Sequence, residues 1–325
     1  MRKLTYAKAI NEAFSIAMQR DKNVFQIGVG IITPWYVGQT MNGLLDMFGE
    51  DRMIDTPVSE NGTTGVAIGA AIAGLRPILT FARMDFMYYA MDQICNHAAT
   101  MNYSLGGHNN VPLVIRAIIN RKGEQAAQHS QSLHGLFMQI PGLKVVMPSN
   151  AYDAKGMLLG AIEDNNPVIY IEDRELYSQE REVPEGYFSV SLDKAKVEVE
   201  GCDITIISSS FLLSQSKLAI EKLKNKKIKA ELIDLRSIKP IDSESILNSV
   251  KKTGRLLVID GGWITGGVAS EIITLVVTQG MHYLKSSPIR IALPDLPAPA
   301  SYILENSYYP GVEKIENAIQ FIFNS

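Results

Sequence analysis

The residue that most invites a chemical reading is an acid set at the head of a glycine-rich run. Residues 53–74 read MIDTPVSENGTTGVAIGAAIAG: a short apolar stretch, one carboxylate at Glu60, then small residues with Gly62, Gly65, Gly69 and Gly74 and no charge. This pattern predicts a strand, a turn and a buried helix. Glycine at such density lowers helix propensity, so the helix must serve close approach of its backbone to another helix or another subunit. A carboxylate at a helix start is favoured by the helix dipole, whereas burial without a cation disfavours its charged form. Glu60 therefore either caps a helix or is an acid held where an acid is useful. A second candidate is His129, in AAQHSQ after a strand and a polar loop. An imidazole there can move a proton near neutral pH, although a lone histidine is as readily structural. His134, five residues on, lacks that motif, and His97, His108 and His282, without ligand spacing, read as structural or exposed. The cations Arg83, Arg121 and Lys122 and the aromatics Phe86, Tyr88 and Tyr89 complete the candidates.

The elements that must position these groups follow from the apolar pattern. Thr5 to Arg20 reads as a capped helix, NVFQIG (23–28) as a strand followed by a loop with Trp35 and Tyr36, and Gln39 to Phe48 as a helix. Strand RPILTF (76–81), a helix over Asp85 to Asn102, strands PLVIRAII (from Pro112) and LKVVM (143–147), a helix over Asn150 to Ile162 and strand PVIYIE (167–172) continue the alternation. Strands alternating with helices predict a parallel sheet covered on both faces. Open parallel sheets bind ligands beyond the carboxyl ends of their strands. Glu60, the Arg83–Phe86 turn, the loop from Asn120 to His129 and Glu172 are thus expected on one rim. From Tyr177 to Glu200 the pattern becomes polar and Glu-rich and reads as a linker. A second alternation then begins with DITIIS, a helix to Lys224, KAELIDL, a helix from Asp242, RLLVID, a helix from Gly267 and PIRIALP. The expected architecture is α/β, with two doubly wound domains at residues 1–176 and 201–325 joined by a linker at 177–200.

Composition narrows the function classes. A chain of 325 residues with 46% hydrophobic content has ample core for two domains. No apolar run approaches the roughly 20 residues that span a bilayer. The net charge of -3, with scattered cations, leaves no footprint for nucleic acid or a membrane surface. Cys95 and Cys202 lack CxxC spacing, so neither a disulfide framework nor a zinc site is expected, and a reducing cytoplasm suits the chain. No GxGxxG opens a helix after the first strand, which argues against nicotinamide binding.

The TPVSENG pattern with its small-residue helix, AAQHSQ, AIEDNNP, and the later DLRSIKPIDSESIL and GGW together resemble the beta subunits of thiamine-diphosphate-dependent 2-oxo acid dehydrogenases, pyruvate and branched-chain types, in the transketolase superfamily. The resemblance covers nearly the whole chain and implies a pyrimidine-binding domain followed by a transketolase C-terminal-like domain. It implies that Glu60, Ala82, Phe86 and Tyr89 meet the cofactor, with Glu60 at ring nitrogen N1′ and Phe86 against the aminopyrimidine. Phe86 could equally be a core aromatic. Glu60 and His129 are the implied catalytic residues. A potassium ion is implied at Leu113, Ala161, Ile162, Asp164 and Asn166, where an ordinary helix end is the other reading. The chain has no GDG motif of the kind that holds magnesium and diphosphate, so a separate alpha subunit is implied to grip them in a heterotetramer of two alpha and two beta chains, with a lipoyl acyltransferase core as a further partner. Two departures stand out. Val29 and Gly30 occupy the place of a pair of acids, and the loop before His129 carries Arg121 and Lys122. With Arg83, these cations either pair with Glu124 and the alpha subunit or border a channel that selects a 2-oxo acid bearing an extra anionic group. The implied reaction is decarboxylation of a 2-oxo acid and transfer of the acyl unit to an acceptor such as a lipoyl group. A split transketolase, a specialised synthase and a non-catalytic scaffold are the rival readings.

Overall fold

The computed structural model describes residues 2–33, 36–223 and 227–324; Trp35 and Lys224 lie outside the described residues. The chain forms two compact units. Residues 1–121 and 137–192 make the first, and residues 122–136 and 193–325 the second. His129 therefore belongs to the second unit, although the strand that leads to it belongs to the first.

The first unit begins with β1 (Arg2–Thr5) and α1 (Tyr6–Arg20), capped by the Thr5 hydroxyl, which accepts from Lys8 N at 3.3 Å. Tyr6, Ala9, Ile10, Ala13, Phe14 and Ala17 form its buried stripe, at the three- and four-residue spacing of a helix face. Next come β2 (Val24–Gly28), α2 (Leu44–Phe48), β3 (Met53–Asp55), α3 (Glu60–Ile72) and β4 (Arg76–Phe81). After α4 (Met101–Ser104) follow β5 (Val114–Ile119), α5 (His134–Met138), which the unit boundary divides, β6 (Lys144–Val146), α6 (Ala151–Glu163), β7 (Val168–Asp173) and β8 (Glu180–Val183). Six of the first unit's strands form one sheet in the order β6-β7-β5-β4-β2-β3, all parallel. Its central strands are apolar almost throughout, as burial on both faces requires.

Three helices differ from the sequence reading. The helix expected over Gln39 to Phe48 survives only as α2, because Gln39 and Gly43 adopt positive φ (66° and 74°) and interrupt it. The helix expected over Asp85 to Asn102 is broken into a 3₁₀ segment (Met84–Ala90), a π-helical segment (Asp92–Ala98) and α4. The small-residue helix α3 is not wholly buried within this chain. It buries Thr64, Ala67, Ile68 and Ala71 and leaves Gly62, Val66, Gly69 and Ile72 outside.

The stretch read as a linker is divided between the units by backbone hydrogen bonds. β8 pairs antiparallel with β1, and Val190 N donates to Gly156 O at 3.0 Å on α6. β9 (Lys196–Val199) instead joins β11 (Ala230–Asp234) as an antiparallel edge of the second sheet. The rest of the second unit comprises β10 (Ile204–Ser208), α7 (Phe211–Leu223), β12 (Ser237–Lys239), α8 (Ser243–Thr253), β13 (Leu256–Trp263), α9 (Val268–Gly280), β14 (Ile289–Leu293), α10 (Tyr302–Tyr308) and α11 (Val312–Asn324). Its sheet runs β14-β13-β10-β11-β9. Alternation decides its two faces: Ile204, Ile206, Leu232, Leu257 and Ile259 pack with α7 and α11. The opposite face sets Thr205 against α8, where its hydroxyl bonds Ser249 and Thr253 at 2.7 Å each.

Gly156 shows how tightly the returning segment is held. A Cβ there would lie 2.5 Å from Val190 Cγ2 and 2.7 Å from Phe188 Cε2. Gly156→Val should lower the stability of the chain by about 1–3 kcal/mol, the range for overpacking, measured by urea denaturation.

Candidate active site

The carboxyl ends of β2, β3 and β4, with the start of α3, enclose a cavity of about 440 Å³. Close packing of these strands needs a glycine at the end of β2, since a Cβ on Gly28 would stand 2.7 Å from Thr80 O. The chain then turns through Gly30 at φ +71°, where a Cβ would meet the Tyr36 ring at 3.2 Å. Val29, in the place where the resemblance has an acid, lines the cavity as an apolar wall.

Glu60 is the first residue of α3, half-buried, and lines this cavity. Its carboxylate has no hydrogen bond or ion pair among the described residues; only its main-chain oxygen is used, accepting from Thr64 Oγ1 at 2.6 Å. It does not cap the helix with its side chain, and the helix dipole favours a negative charge at this end. Ala82, Phe86 and Tyr89 line the same cavity, with Phe86 half-buried rather than sealed in the core. Thr56 Oγ1 and Thr80 Oγ1 are buried there with no hydrogen-bond partner among the described residues. A buried hydroxyl left unpaired costs about 1–3 kcal/mol, which a ligand's polar edge would offset. Apolar and aromatic walls, one free carboxylate and two unpaired hydroxyls fit a flat heteroaromatic ring with polar edges, as in an aminopyrimidine. Among the described residues, the lining contains no Lys, Arg or His, and Glu60 is its one carboxylate. It therefore offers a diphosphate no cationic side chain.

His129 is half-buried on a loop of the second unit. Lys122, Glu124 and Ala126 all take positive φ (61°, 58° and 59°), a costly conformation for side-chain-bearing residues that surrounding contacts must hold. Glu124 N donates to Glu305 Oε2 at 3.1 Å, Tyr302 N donates to Glu124 Oε1 at 3.3 Å, and Lys122 Nζ lies 5.5 Å from the centre of the Phe211 ring. The loop's other anchor is His134, for which the sequence offered no motif. Its ring is buried between Ser132 Oγ (2.8 Å from Nδ1) and Asp260 Oδ1 (2.7 Å from Nε2), and Asp260 also accepts from Gly262 N and Ala269 N. The acid that completes this chain lies 126 residues downstream. His97, His108 and His282 are exposed.

The expected channel cations separate. Arg121 is buried and paired with Asp173, its Nε 2.6 Å from Oδ2. Its burial excludes the reading as a solvated partner of Glu124, and its Nε is paired inside the first unit. Lys122 packs over Phe211 in the second unit. Arg83 remains half-buried beside the cavity wall, with Nη1 donating to Ala82 O at 2.8 Å and Nε buried without a partner.

The oxygens expected to bind potassium are engaged by the protein. Leu113 O accepts from Val168 N, Ala161 O from Asp164 N, and Ile162 O and Asp164 O from Arg76 Nη1 at 2.9 and 3.2 Å. The Asp164 carboxylate pairs with Lys144 and accepts from Asn166 N. Each of these oxygens thus accepts from at least one protein donor, Arg76 serving two of them.

Comparison with known proteins gives the family of both domains. The transketolase pyrimidine-binding domain matches residues 2–179, and the transketolase C-terminal domain matches residues 193–315. The chain is 40% identical to the acetoin:2,6-dichlorophenolindophenol oxidoreductase subunit beta of Bacillus subtilis, over 97% of this chain and 95% of that one. It is 39% identical to the pyruvate dehydrogenase E1 component subunit beta of Rickettsia bellii, over 98% of each. Among solved structures, an inactive beta4 tetramer of a split-gene transketolase aligns with a TM-score of 0.80 and 19% identity over 99% of this chain and 98% of that one, a likeness of fold.

The Ser132–His134–Asp260 chain makes a pH-dependent contribution. Burial would push the Asp260 carboxyl up, but His134 and the two backbone donors outweigh it and hold the carboxyl below its ordinary value. Stability from a depressed carboxylate is complete above the unfolded value and lost as pH falls through the folded one. Asp260→Asn should therefore cost about 3–5 kcal/mol near neutral pH, as for breaking a buried pair. It should also flatten the loss of stability below about pH 4, the ordinary aspartate range, in urea titrations run across pH.

Proposed function

We propose, for a chain that belongs to the family carrying the transketolase pyrimidine-binding and C-terminal domains, that it serves as the beta subunit of a thiamine-diphosphate-dependent enzyme that decarboxylates a 2-oxo acid and passes on the acyl unit. The observation that carries this reading is the free carboxylate of Glu60 facing an aromatic-lined cavity at the carboxyl edge of a parallel sheet. Thiamine diphosphate, when bound, supplies a nucleophilic carbon that attacks the 2-oxo carbonyl and accepts the electron pair as carbon dioxide leaves.

The chain's own residues do the rest. Glu60 holds or shares a proton at the pyrimidine ring nitrogen, a role suited to an acid without a competing partner. Phe86 and Tyr89 orient the ring by its faces, and the hydroxyls of Thr56 and Thr80 meet its polar edge. Val29 and Leu79 give the wall an apolar surface. His129, on its strained loop, is the group proposed to move a proton during acyl transfer. Arg83 is the one expected channel cation retained for substrate.

The diphosphate and magnesium are assigned to an alpha subunit, in a heterotetramer of two alpha and two beta chains. Support for such a partner comes from the apolar residues that the first unit leaves exposed: Val58 at 76%, Val66 at 62% and Tyr89 at 73%. A lipoyl acyltransferase core is the proposed acyl acceptor, and a reducing cytoplasm suits the two free cysteines. Potassium at the Asp164 helix end is not required by this reading. A split transketolase shares the fold; the AAQHSQ loop and the likeness to dehydrogenase beta subunits favour the dehydrogenase type. An unpaired acid in an aromatic cavity argues against a scaffold subunit.

Two outcomes follow for the enzyme reconstituted with its alpha partner. Glu60→Gln should assemble and fold as wild type and lose roughly two or more powers of ten in turnover, the scale of general acid–base groups; unchanged turnover would contradict the assignment. The chain alone should show weak or no magnesium-dependent binding of thiamine diphosphate by calorimetry, and tight binding should arise on adding the alpha subunit.

A further inference from the structure

Three neighbouring strands of the first sheet, in the order β7-β5-β4, end side by side. Each is followed by a hydrogen-bond donor: Arg174 directly after β7, Asn120 directly after β5 and Arg83 two residues after β4. Arg174 Nη1 donates to Asn120 Oδ1 at 2.9 Å, which fixes the amide and turns it. Asn120 is 1% exposed, and its Nδ2 has no partner among the described residues. Arg83 Nε is likewise buried and unpartnered.

Two carboxylates at this rim are committed elsewhere, while Asp85 lies buried near Arg83. Glu172 is bound by Arg116, and Asp173 by Arg121. Neither Arg83 nor Arg174 has an ion pair among the described residues. Burial and the nearby Arg174 push the Arg83 guanidinium down, while Tyr36 and Asp85 draw it the other way. Two guanidiniums close enough to repel, beside an orphaned amide donor, form a donor-rich cluster with Asp85 as the carboxylate near Arg83. Such a cluster matches an oxyanion, which accepts from a guanidinium in a bidentate fork. It also adjoins the cavity, since Ala82 lines the cavity next to Arg83 and Tyr36 lines it within reach of Arg83's charge.

We propose that Arg83, Asn120 and Arg174 form an oxyanion subsite beside the first unit's cavity, which takes a carboxylate or phosphate that the 2-oxo acid carries in addition to the carboxylate it loses. The site as a substrate subsite rests on the thiamine-dependent reading above; its affinity for an anion does not.

The test has two arms. In the full-length chain, titration with inorganic phosphate and with glutarate should shift the side-chain NMR signals of Arg83 Nε–H and Asn120 Nδ2–H₂. Arg174→Gln should weaken whichever anion binds by roughly tenfold or more, the scale of losing a charge-assisted pair. No shift with either anion, or equal affinity in the variant, would overturn the subsite. In the enzyme assembled with its alpha subunit, Arg174→Gln should lower kcat/KM for a 2-oxo acid with a terminal carboxylate or phosphate at least several-fold more than for pyruvate. The anion preferred in the first arm identifies which group. Equal effects on both substrates would overturn the role in specificity. Absence of any thiamine-dependent turnover would overturn the proposed function, while the titration would still decide whether the anion site exists.

Discussion

A parallel sheet covered on both faces leaves its strands one place to meet a ligand, the edge where they end. Side chains along β2, β4, β5 and β7 are buried among helices, and only the residues just beyond their carboxyl ends reach open space. Gly28 enforces this at the site itself by letting β2 press against the Thr80 carbonyl. The cavity exists because the chain then turns away through Gly30 while α3 starts at Glu60. Every group assigned to cofactor or substrate in the first unit lies within eight residues of a strand end.

The same edge separates charges that stabilise the fold from those left for chemistry. Arg116 and Glu172 lie fully buried and share two hydrogen bonds, with Thr40 and the Tyr177 hydroxyl closing the network. Arg121, two residues beyond β5, pairs with Asp173 at the end of β7. Buried pairs of this kind contribute little over an apolar core but are costly to break, so they fix the strand ends in place. The free carboxylate of Glu60, the hydroxyls of Thr56 and Thr80, the amide of Asn120 and the guanidinium of Arg83 are among the polar groups at this edge left without a full set of partners. In the second unit, His134 and Asp260 tie down a loop whose backbone would not hold its positive φ values unaided.

Local pattern made the strands legible: RPILTF and the 3.6-residue stripe of α1 need no tertiary information, and each appears where its sequence places it. The acid, the aromatic turn and the cavity they share were legible too, because rim position follows from topology. Interactions distant in sequence were not. Nothing near Arg121 announces Asp173, nothing near His134 announces Asp260, and a cation on a loop looks the same whether buried or solvated. The interrupted helix after Phe81 was equally hidden, since its apolar spacing suits an unbroken helix while packing divides it into 3₁₀ and π turns. Arg174 lay in a polar sequence with no motif; only the strand order brings it beside Arg83 and Asn120.

The central claim is that Glu60 meets the cofactor's pyrimidine in the first unit's cavity. A crystal structure of the chain assembled with its alpha subunit and thiamine diphosphate tests it directly. The account predicts a Glu60 carboxylate oxygen within hydrogen-bonding distance of a pyrimidine ring nitrogen, with Phe86 against the ring and the diphosphate held by the partner. A pyrimidine bound away from Glu60, or a diphosphate gripped by this chain, would contradict it.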